Sequence, residues 1–234
     1  MPDVYLVRHG QASLLADDYD ALSEHGKEQS RVVGRWFAAR GKRFDYVVSG
    51  SLQRQIETAN EVQQVLDLDP AKLEIEPDFD EYGHYDIFAS YRPDLADPAE
   101  LGAYLRGCEN PRREFQRMFA EAFDRWLFQY NETDYPMSWK TFRETRFAAV
   151  QRVAERCQSG ETAVIFTSAG VIAAICQHLL QVPDEKVTAL HFPIFNAAIT
   201  KLLCQPGLIS LSYFNSIGHL EATETAEQPL VTYR

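Results

Sequence analysis

Chemistry-bearing residues gather at three places in this chain where an apolar run gives way to polar side chains. Arg8-His9-Gly10 follows the run VYLV at residues 4–7, and Arg54 closes the segment SGSLQR at 49–54 after FDYVV at 44–48. Thr167-Ser168-Ala169-Gly170 stands at the end of TAVIFT, residues 162–167. An imidazole accompanied by two guanidinium groups suits the handling of an anion. The planar fork of a guanidinium matches phosphate oxygens, and a neutral imidazole nitrogen can act as nucleophile or proton carrier. A fourth stretch, Asp78-Phe79-Asp80-Glu81, offers carboxyl groups for acid–base work. A lone histidine is more often structural than catalytic. The position of His9 at a strand end, before a glycine that lets backbone approach a ligand, is what singles it out.

These groups converge only if the apolar runs are strands of one sheet. Short, wholly apolar runs read as strands buried on both faces. Between them the spacing predicts helices over 22–40, with Ser23 as N-cap and Val33, Trp36 and Phe37 in a stripe, and over 53–66, with Ile56, Ala59, Val62 and Leu66 aligned. Further helices are expected over 140–157 and 171–180, a short strand at 73–75, and a closing pair of strands at 197–204 and 208–213. Strands alternating with helices predict an α/β fold: a mostly parallel sheet flanked by helices on both faces, with ligands at the carboxyl ends of the strands. The stretch from about 84 to 137 breaks this rhythm. Pro93, Pro98 and Pro111 read as loop punctuation around one strong helix at 112–130, where Phe115, Met118, Phe119, Ala122 and Trp126 recur as a packing face. The expectation is a single domain over 1–234 carrying a helical cap insertion, with a polar, loosely held tail after Leu220.

The chain has 234 residues, 45% of them hydrophobic, so it can bury a substantial core and is no candidate for disorder. No apolar stretch approaches the ~20 residues of a membrane span, and a net charge of -11 lacks the basic footprint of a nucleic-acid binder. Cys108, Cys157, Cys176 and Cys204 form no CxxC pair and no zinc-type cluster with histidine, so no metal site is expected. Met-Pro-Asp leads straight into the first strand without a basic, apolar leader. Free thiols in a reducing cytoplasm are the simplest expectation.

The motifs resemble the histidine phosphatase superfamily, the phosphoglycerate-mutase-like proteins. VYLVRHGQAS at the N-terminus resembles the family's signature, ALSEHGKEQS its Leu-Thr-x-x-Gly-x-x-Gln helix start, and SGSLQRQIETA its Ser-Ser-x-x-x-Arg-x-x-x-Thr-Ala segment. FDEYG is similar to the segment that supplies the family's acidic residue. FNAAITKL and FNSIGHL resemble its closing strand and its Asn-x-x-x-His-Leu motif. The resemblance implies His9 as the nucleophile, passing through a phosphohistidine. It implies Arg8 and Arg54 as clamps on the phosphoryl oxygens, and Glu81 as the acid for the leaving alcohol, with Asp78, Asp80 and Asp86 as neighbouring alternatives. Gly10 would line the phosphate pocket, and Gln11 would either reach it as a neutral polar contact or stand as a surface loop residue. No cofactor is implied.

Two departures matter. Where the family has Thr/Ser-His-Gly-Gly, this chain has Thr167-Ser168-Ala169-Gly170, so Ser168 aligns with a second histidine. Its hydroxyl and the following N–H groups would hold phosphate, but they supply no cationic donor. His84, His178, His191 and His219 are possible substitutes, each also readable as structural. The continuation Gln11-Ala12-Ser13-Leu14-Leu15 departs from the mutase Ser-x-Trp-Asn and favours the phosphatase side over a phosphoglycerate mutase. In the cap, Arg106, Arg112, Arg113 and Arg117 are expected on a solvated face. The expected function is hydrolysis of phosphate monoesters, with reduced activity. The alternative is a non-catalytic binder of phosphate ligands on the same fold, and a weaker one is an interaction module using the insertion. The expected partner is a small phosphorylated substrate, not nucleic acid or membrane.

Overall fold

The computed structural model describes residues 1–13, 20–128 and 134–233. In chain order the elements are β1 (Asp3–Arg8), α1 (Glu24–Ala39), β2 (Tyr46–Ser49), α2 (Gln53–Val65), β3 (Leu73–Ile75), α3 (His84–Tyr91), α4 (Pro98–Arg106) and α5 (Pro111–Phe128). Then come α6 (Trp139–Arg156), β4 (Thr162–Thr167), α7 (Ala169–Leu180), α8 (Val187–His191), β5 (Ile199–Gln205), β6 (Leu208–Ser216) and α9 (Gly218–Glu221). Among the described residues one sheet runs β3-β2-β4-β1-β5-β6. β3, β2, β4 and β1 are mutually parallel, while β5 and β6 pair antiparallel along one edge.

The alternation along β1 and β4 explains their uniform hydrophobicity. Val4 and Leu6, with Ala163 and Ile165, face a core built with α5, α6 and α7. Tyr5 and Val7, with Val164 and Phe166, face a second core containing α1 and α2 residues such as Val33, Phe37, Ala59 and Val62. Each strand is thus buried on both faces, the condition that a parallel α/β sheet imposes. Arg8 pairs in register with Thr167, so β1 and β4 end side by side, and Ser49 of β2 pairs with Phe166 one residue earlier. This register brings the three polar strand ends to one edge. α1 begins where Ser23 accepts the Gly26 N–H at 3.0 Å, an N-cap that fixes the helix start.

Two expectations are corrected. The insertion holds α3, α4 and α5 rather than one helix between loops; the last residues expected of its strong helix, 129 and 130, lie outside the described residues. Pro98 and Pro111 open α4 and α5 as their first residues, where a missing N–H costs nothing and the fixed φ favours the helix. They are starts, not interruptions. α5 delivers Ala122, Phe123, Trp126 and Leu127 to the same core as α6 and α7. The tail is also not loose. Leu230 is buried, its carbonyl accepts from Gln29 Nε2 at 2.6 Å, and Thr232 joins Asn196 through a backbone bond of 2.9 Å and a side-chain bond of 3.0 Å. The tail's few apolar residues find a groove beside α1, and its polar groups are satisfied by buried amides.

Candidate active site

His9 follows β1 and is 7% exposed. Its N–H donates to the Thr167 carbonyl at 2.8 Å, and its own carbonyl accepts from Ala197 N at 3.2 Å and Asn196 Nδ2 at 3.4 Å. The backbone is therefore pinned between β4 and the start of β5. The ring is pinned too: Nδ1 lies 2.7 Å from the Gly10 carbonyl, which can only accept, so the proton sits on Nδ1. Nε2 is left with a lone pair, toward which Arg54 Nε donates at 3.2 Å. Burial, then the cations Arg54 and Arg8, hold this imidazole well below the ordinary histidine range. It is a neutral ring whose unprotonated nitrogen faces a guanidinium.

Arg54 lies in the first turn of α2 and also pairs with Asp20. Arg8 donates through Nη1 to the carbonyls of Ile194 and, at 3.0 Å, Tyr233, so the tail reaches the edge of the site. The buried Nε of Arg8 has no hydrogen-bond partner among the described residues. Burial lowers this guanidinium to about 10, Glu81 opposes the shift and Arg54 adds to it. It stays cationic at neutral pH. Arg8, His9 and Arg54 therefore come together.

Glu81 is brought in from the other side. One carboxyl oxygen accepts the Gly170 N–H at 3.0 Å, the other the Tyr82 N–H at 3.3 Å, which seats the group on the N-terminal turn of α7. A Cβ at Gly170 would overlap both the Glu81 carboxyl and the Tyr82 ring, so glycine is required here. Asp80 is committed to Ser51, with 2.5 Å bonds to its N–H and hydroxyl, and Asp78 to Arg152 at 2.7 Å. Asp86 lies in the first turn of α3 and is exposed. Of the three residues Asp78, Asp80 and Glu81, Glu81 alone is free of such commitments to side chains, and Arg8 feels its charge.

Ser168, at the N-cap of α7, is fully buried. Its oxygen accepts from Gln55 Nε2 at 2.8 Å, and Gln55 also donates to the Phe79 carbonyl at 3.1 Å, where Thr167 Oγ1 donates at 2.7 Å. The Ser168 oxygen thus belongs to a network that ties the Phe79–Glu81 turn to the end of β4, with the hydroxyl proton left to give. Gly10 donates to Thr58 Oγ1 at 3.0 Å, and Gln11 N–H to Gln29 at 2.8 Å; the Gln11 side-chain oxygen accepts from Ser23 Oγ at 3.1 Å. A Cβ on Gly10 would collide with the Gly26 carbonyl of α1, so this glycine serves a backbone–backbone approach. Gly10→Ala is expected to cost about 3 kcal/mol of stability or more, since neither backbone can yield; equal urea midpoints for variant and wild type would contradict this.

Sequence reasoning did not assign roles to Asp20, Gln55, Tyr82 or Asn196. Gln55 and Asn196 stood inside quoted motifs, and Tyr82 beside Glu81. Of the possible substitute histidines, His178 stacks on Phe147 at 3.9 Å and His219 is buried against the Ala197 carbonyl at 3.0 Å. His84 and His191 flank Tyr82 at ring distances of 4.6 and 5.8 Å. Burial lowers both His191 and His219 to about 4. An unfolded imidazole, near 6.5, takes its proton first as pH falls, so the stability these rings confer is full above about pH 6.5 and is lost between there and about 4. For His219, 5% exposed, the loss is on the order of 3 kcal/mol. His219→Gln should therefore flatten the fall in urea midpoint over that window. An unchanged slope would show that His219 does not carry it.

A doubly covered sheet with an arginine-flanked histidine at the end of β1 defines a phosphate-handling class of α/β fold. The model of the histidine phosphatase superfamily (branch 1) matches residues 4–107 and 105–217, and the chain belongs to that superfamily. Among solved structures, a phosphoserine phosphatase mutant from Entamoeba histolytica in complex with phosphoserine is 18% identical, with a TM-score of 0.64, covering 94% of this chain and 100% of its own. A phosphoglycerate mutase from Bacillus anthracis is 18% identical at a TM-score of 0.64, over 93% of this chain and 94% of its own. A mycobacterial glucosyl-3-phosphoglycerate phosphatase is 20% identical at 0.60, over 92% and 98%. At such identities these likenesses show the fold. No curated protein sequence matches this chain. Among the described residues no helix is long and apolar enough to cross a membrane.

Proposed function

We propose that the protein hydrolyses phosphate monoesters through a phosphohistidine on His9, without a metal. The observation that carries this reading is the ring state of His9: Nδ1–H is tied to the Gly10 carbonyl and the Nε2 lone pair is directed at Arg54. An entering phosphoryl group takes the place of that contact. Arg54 moves from the nitrogen onto a phosphoryl oxygen, Nε2 attacks phosphorus in line, and Arg8, with Nε unsatisfied, holds a second oxygen. Glu81 gives a proton to the departing alcohol oxygen. In the second half, water attacks the phosphohistidine, Glu81 takes its proton, and phosphate leaves. The geometry of Ser168 favours slow chemistry. A buried hydroxyl bonded to Gln55 brings no positive charge to the phosphoryl oxygens, and loss of one such donor costs ~10²–10³ in rate.

The test is turnover of an activated aryl phosphate with and without a chelator. The expected result is slow, saturable hydrolysis unchanged by chelator, with competitive inhibition by inorganic phosphate. Turnover abolished by chelator would overturn the metal-free mechanism. Phosphate binding with no turnover at all would favour the second reading, a phosphate-ligand binding protein, which the missing cationic donor at Ser168 also supports.

A further inference from the structure

Behind the Glu81–Tyr82 turn, between α5 and α6, lies a cleft of about 210 Å³, some seven times the roughly 30 Å³ share of one liquid water. Its walls are aromatic: Trp126 and Phe142, both buried, stand 5.9 Å apart at 65°. Into the same cleft come Arg146, 5% exposed, and Tyr135, 7% exposed. Among the described residues Arg146 enters no ion pair; its guanidinium lies 4.2 Å over the Phe142 ring, and Asp78, Asp80 and Glu81 favour its charge from beyond ion-pair distance. Nη2 donates to the Asp80 carbonyl at 3.0 Å, Nη1 to Thr145 Oγ1 at 3.1 Å and to Met137 Sδ at 3.8 Å, and Nε is buried with no partner among the described residues. The Tyr135 hydroxyl is likewise buried with no hydrogen bond among the described residues, its ring under Arg125 at 5.6 Å. A buried cation lacking a carboxylate partner is costly, and two orphaned polar atoms in one cavity are uncommon. On the remaining side Glu81 and Asp86 line the cleft, and among the described residues Asp86 is in no ion pair. A simple anion placed on Arg146 would meet those carboxylates. A molecule carrying both charges would satisfy all three groups.

We propose that this cleft binds a small zwitterion with a flat or apolar body, of the amino-acid kind: its carboxylate on Arg146 and Tyr135, its ammonium toward Asp86 and Glu81, its body against Trp126 and Phe142. The site is distinct from the His9 centre and shares only the Glu81–Tyr82 turn with it, so its occupancy does not depend on turnover.

The experiment follows the indole N–H of Trp126, which donates to the Met137 carbonyl at 2.8 Å, in ¹H–¹⁵N spectra of the full chain. Three probes are titrated: L-phenylalanine, 3-phenylpropionate without the ammonium, and phenethylamine without the carboxylate. L-Phenylalanine should shift the Trp126 signal saturably in both wild type and His9→Ala, with excess inorganic phosphate present or absent. Each truncated probe should bind at least ~10-fold more weakly, as for loss of a charge-assisted hydrogen bond. Arg146→Gln should weaken L-phenylalanine by a similar factor. Met137→Trp, at the exposed rim, should block the cleft; it loses the Arg146 Nη1 contact to Met137 Sδ at 3.8 Å but removes no charge, and it decides the matter if Arg146→Gln does not fold. No saturable shift, equal binding of 3-phenylpropionate, wild-type affinity in Met137→Trp, or displacement by inorganic phosphate would each overturn the proposal. Displacement would place the ligand in the phosphate pocket, as part of a substrate. Loss of phosphatase activity in other assays leaves this result untouched, so the two readings fail separately.

Discussion

His9→Ala should lower aryl-phosphate turnover by roughly 10⁴-fold or more, the scale seen when a covalent nucleophile is removed from a site that keeps its other groups. The fold should survive, because the pins on residue 9 are mostly backbone: its N–H to Thr167 and its carbonyl to Ala197 and Asn196. Inorganic phosphate should still bind, and more tightly if anything. Without the ring, Arg54 Nε loses its acceptor, and both guanidinium groups are left to the anion. A drop in turnover together with retained phosphate binding is therefore the signature of a nucleophile, and a drop in both would mark a scaffold residue. Rapid acid-quench after exposure to labelled substrate should find acid-labile label on His9 in the wild type. Full activity in the alanine variant, or label on a serine, would remove His9 from the mechanism. At pH 5 to 8 the wild-type rate should show no ionisation from His9, whose burial beside two arginines holds it well below the ordinary histidine value.

The convergence of Arg8, His9 and Arg54 was legible in the sequence because strand ends are. A run of four to six apolar residues stops where the chain leaves the sheet, and in a parallel sheet such exits share an edge. The register was not read from the sequence: in the structure β1 and β4 end level, with Arg8 paired to Thr167. What was not legible depends on contacts between residues far apart in sequence. The clamp of Glu81 on α7 arises from a glycine 89 residues later that leaves room for a carboxyl. The tail's place was hidden because its only deeply buried apolar side chain is Leu230, and its affinity for the body resides in the amides of Gln29 and Asn196. The cap misled through its prolines. Local sequence marks a break in the preceding helix and the first turn of the next in the same way.

Ser168→His is the substitution that separates an attenuated enzyme from a binding remnant. On the proposed reading His9 is a neutral nucleophile beside two arginines, and Arg54 is shared with Asp20. At the N-cap of α7, next to the Thr167 that pairs with Arg8, stands a serine whose oxygen accepts from Gln55 at 2.8 Å. An imidazole there, protonated against the transition state, would add a cationic donor. The expected gain is up to ~10²-fold in the single-turnover rate, with KM changed little, because the new contact strengthens as charge develops. Room is the obstacle, since Ser168 is fully buried and Gln55 fills the space beside it. The double variant Ser168→His, Gln55→Ala relieves this crowding, at the cost of the Gln55 bond to the Phe79 carbonyl that steadies the Glu81 turn. Ser168→Ala should weaken phosphate binding by about 1 kcal/mol if the hydroxyl proton reaches the anion, and leave it unchanged if Ser168 serves only the Gln55 network. Circular dichroism of each variant keeps a folding defect apart from a chemical one. Fast wild-type turnover that collapses in a well-folded Ser168→His would mean that another group already fills the histidine's role. A slow wild type that quickens would place the deficit at residue 168.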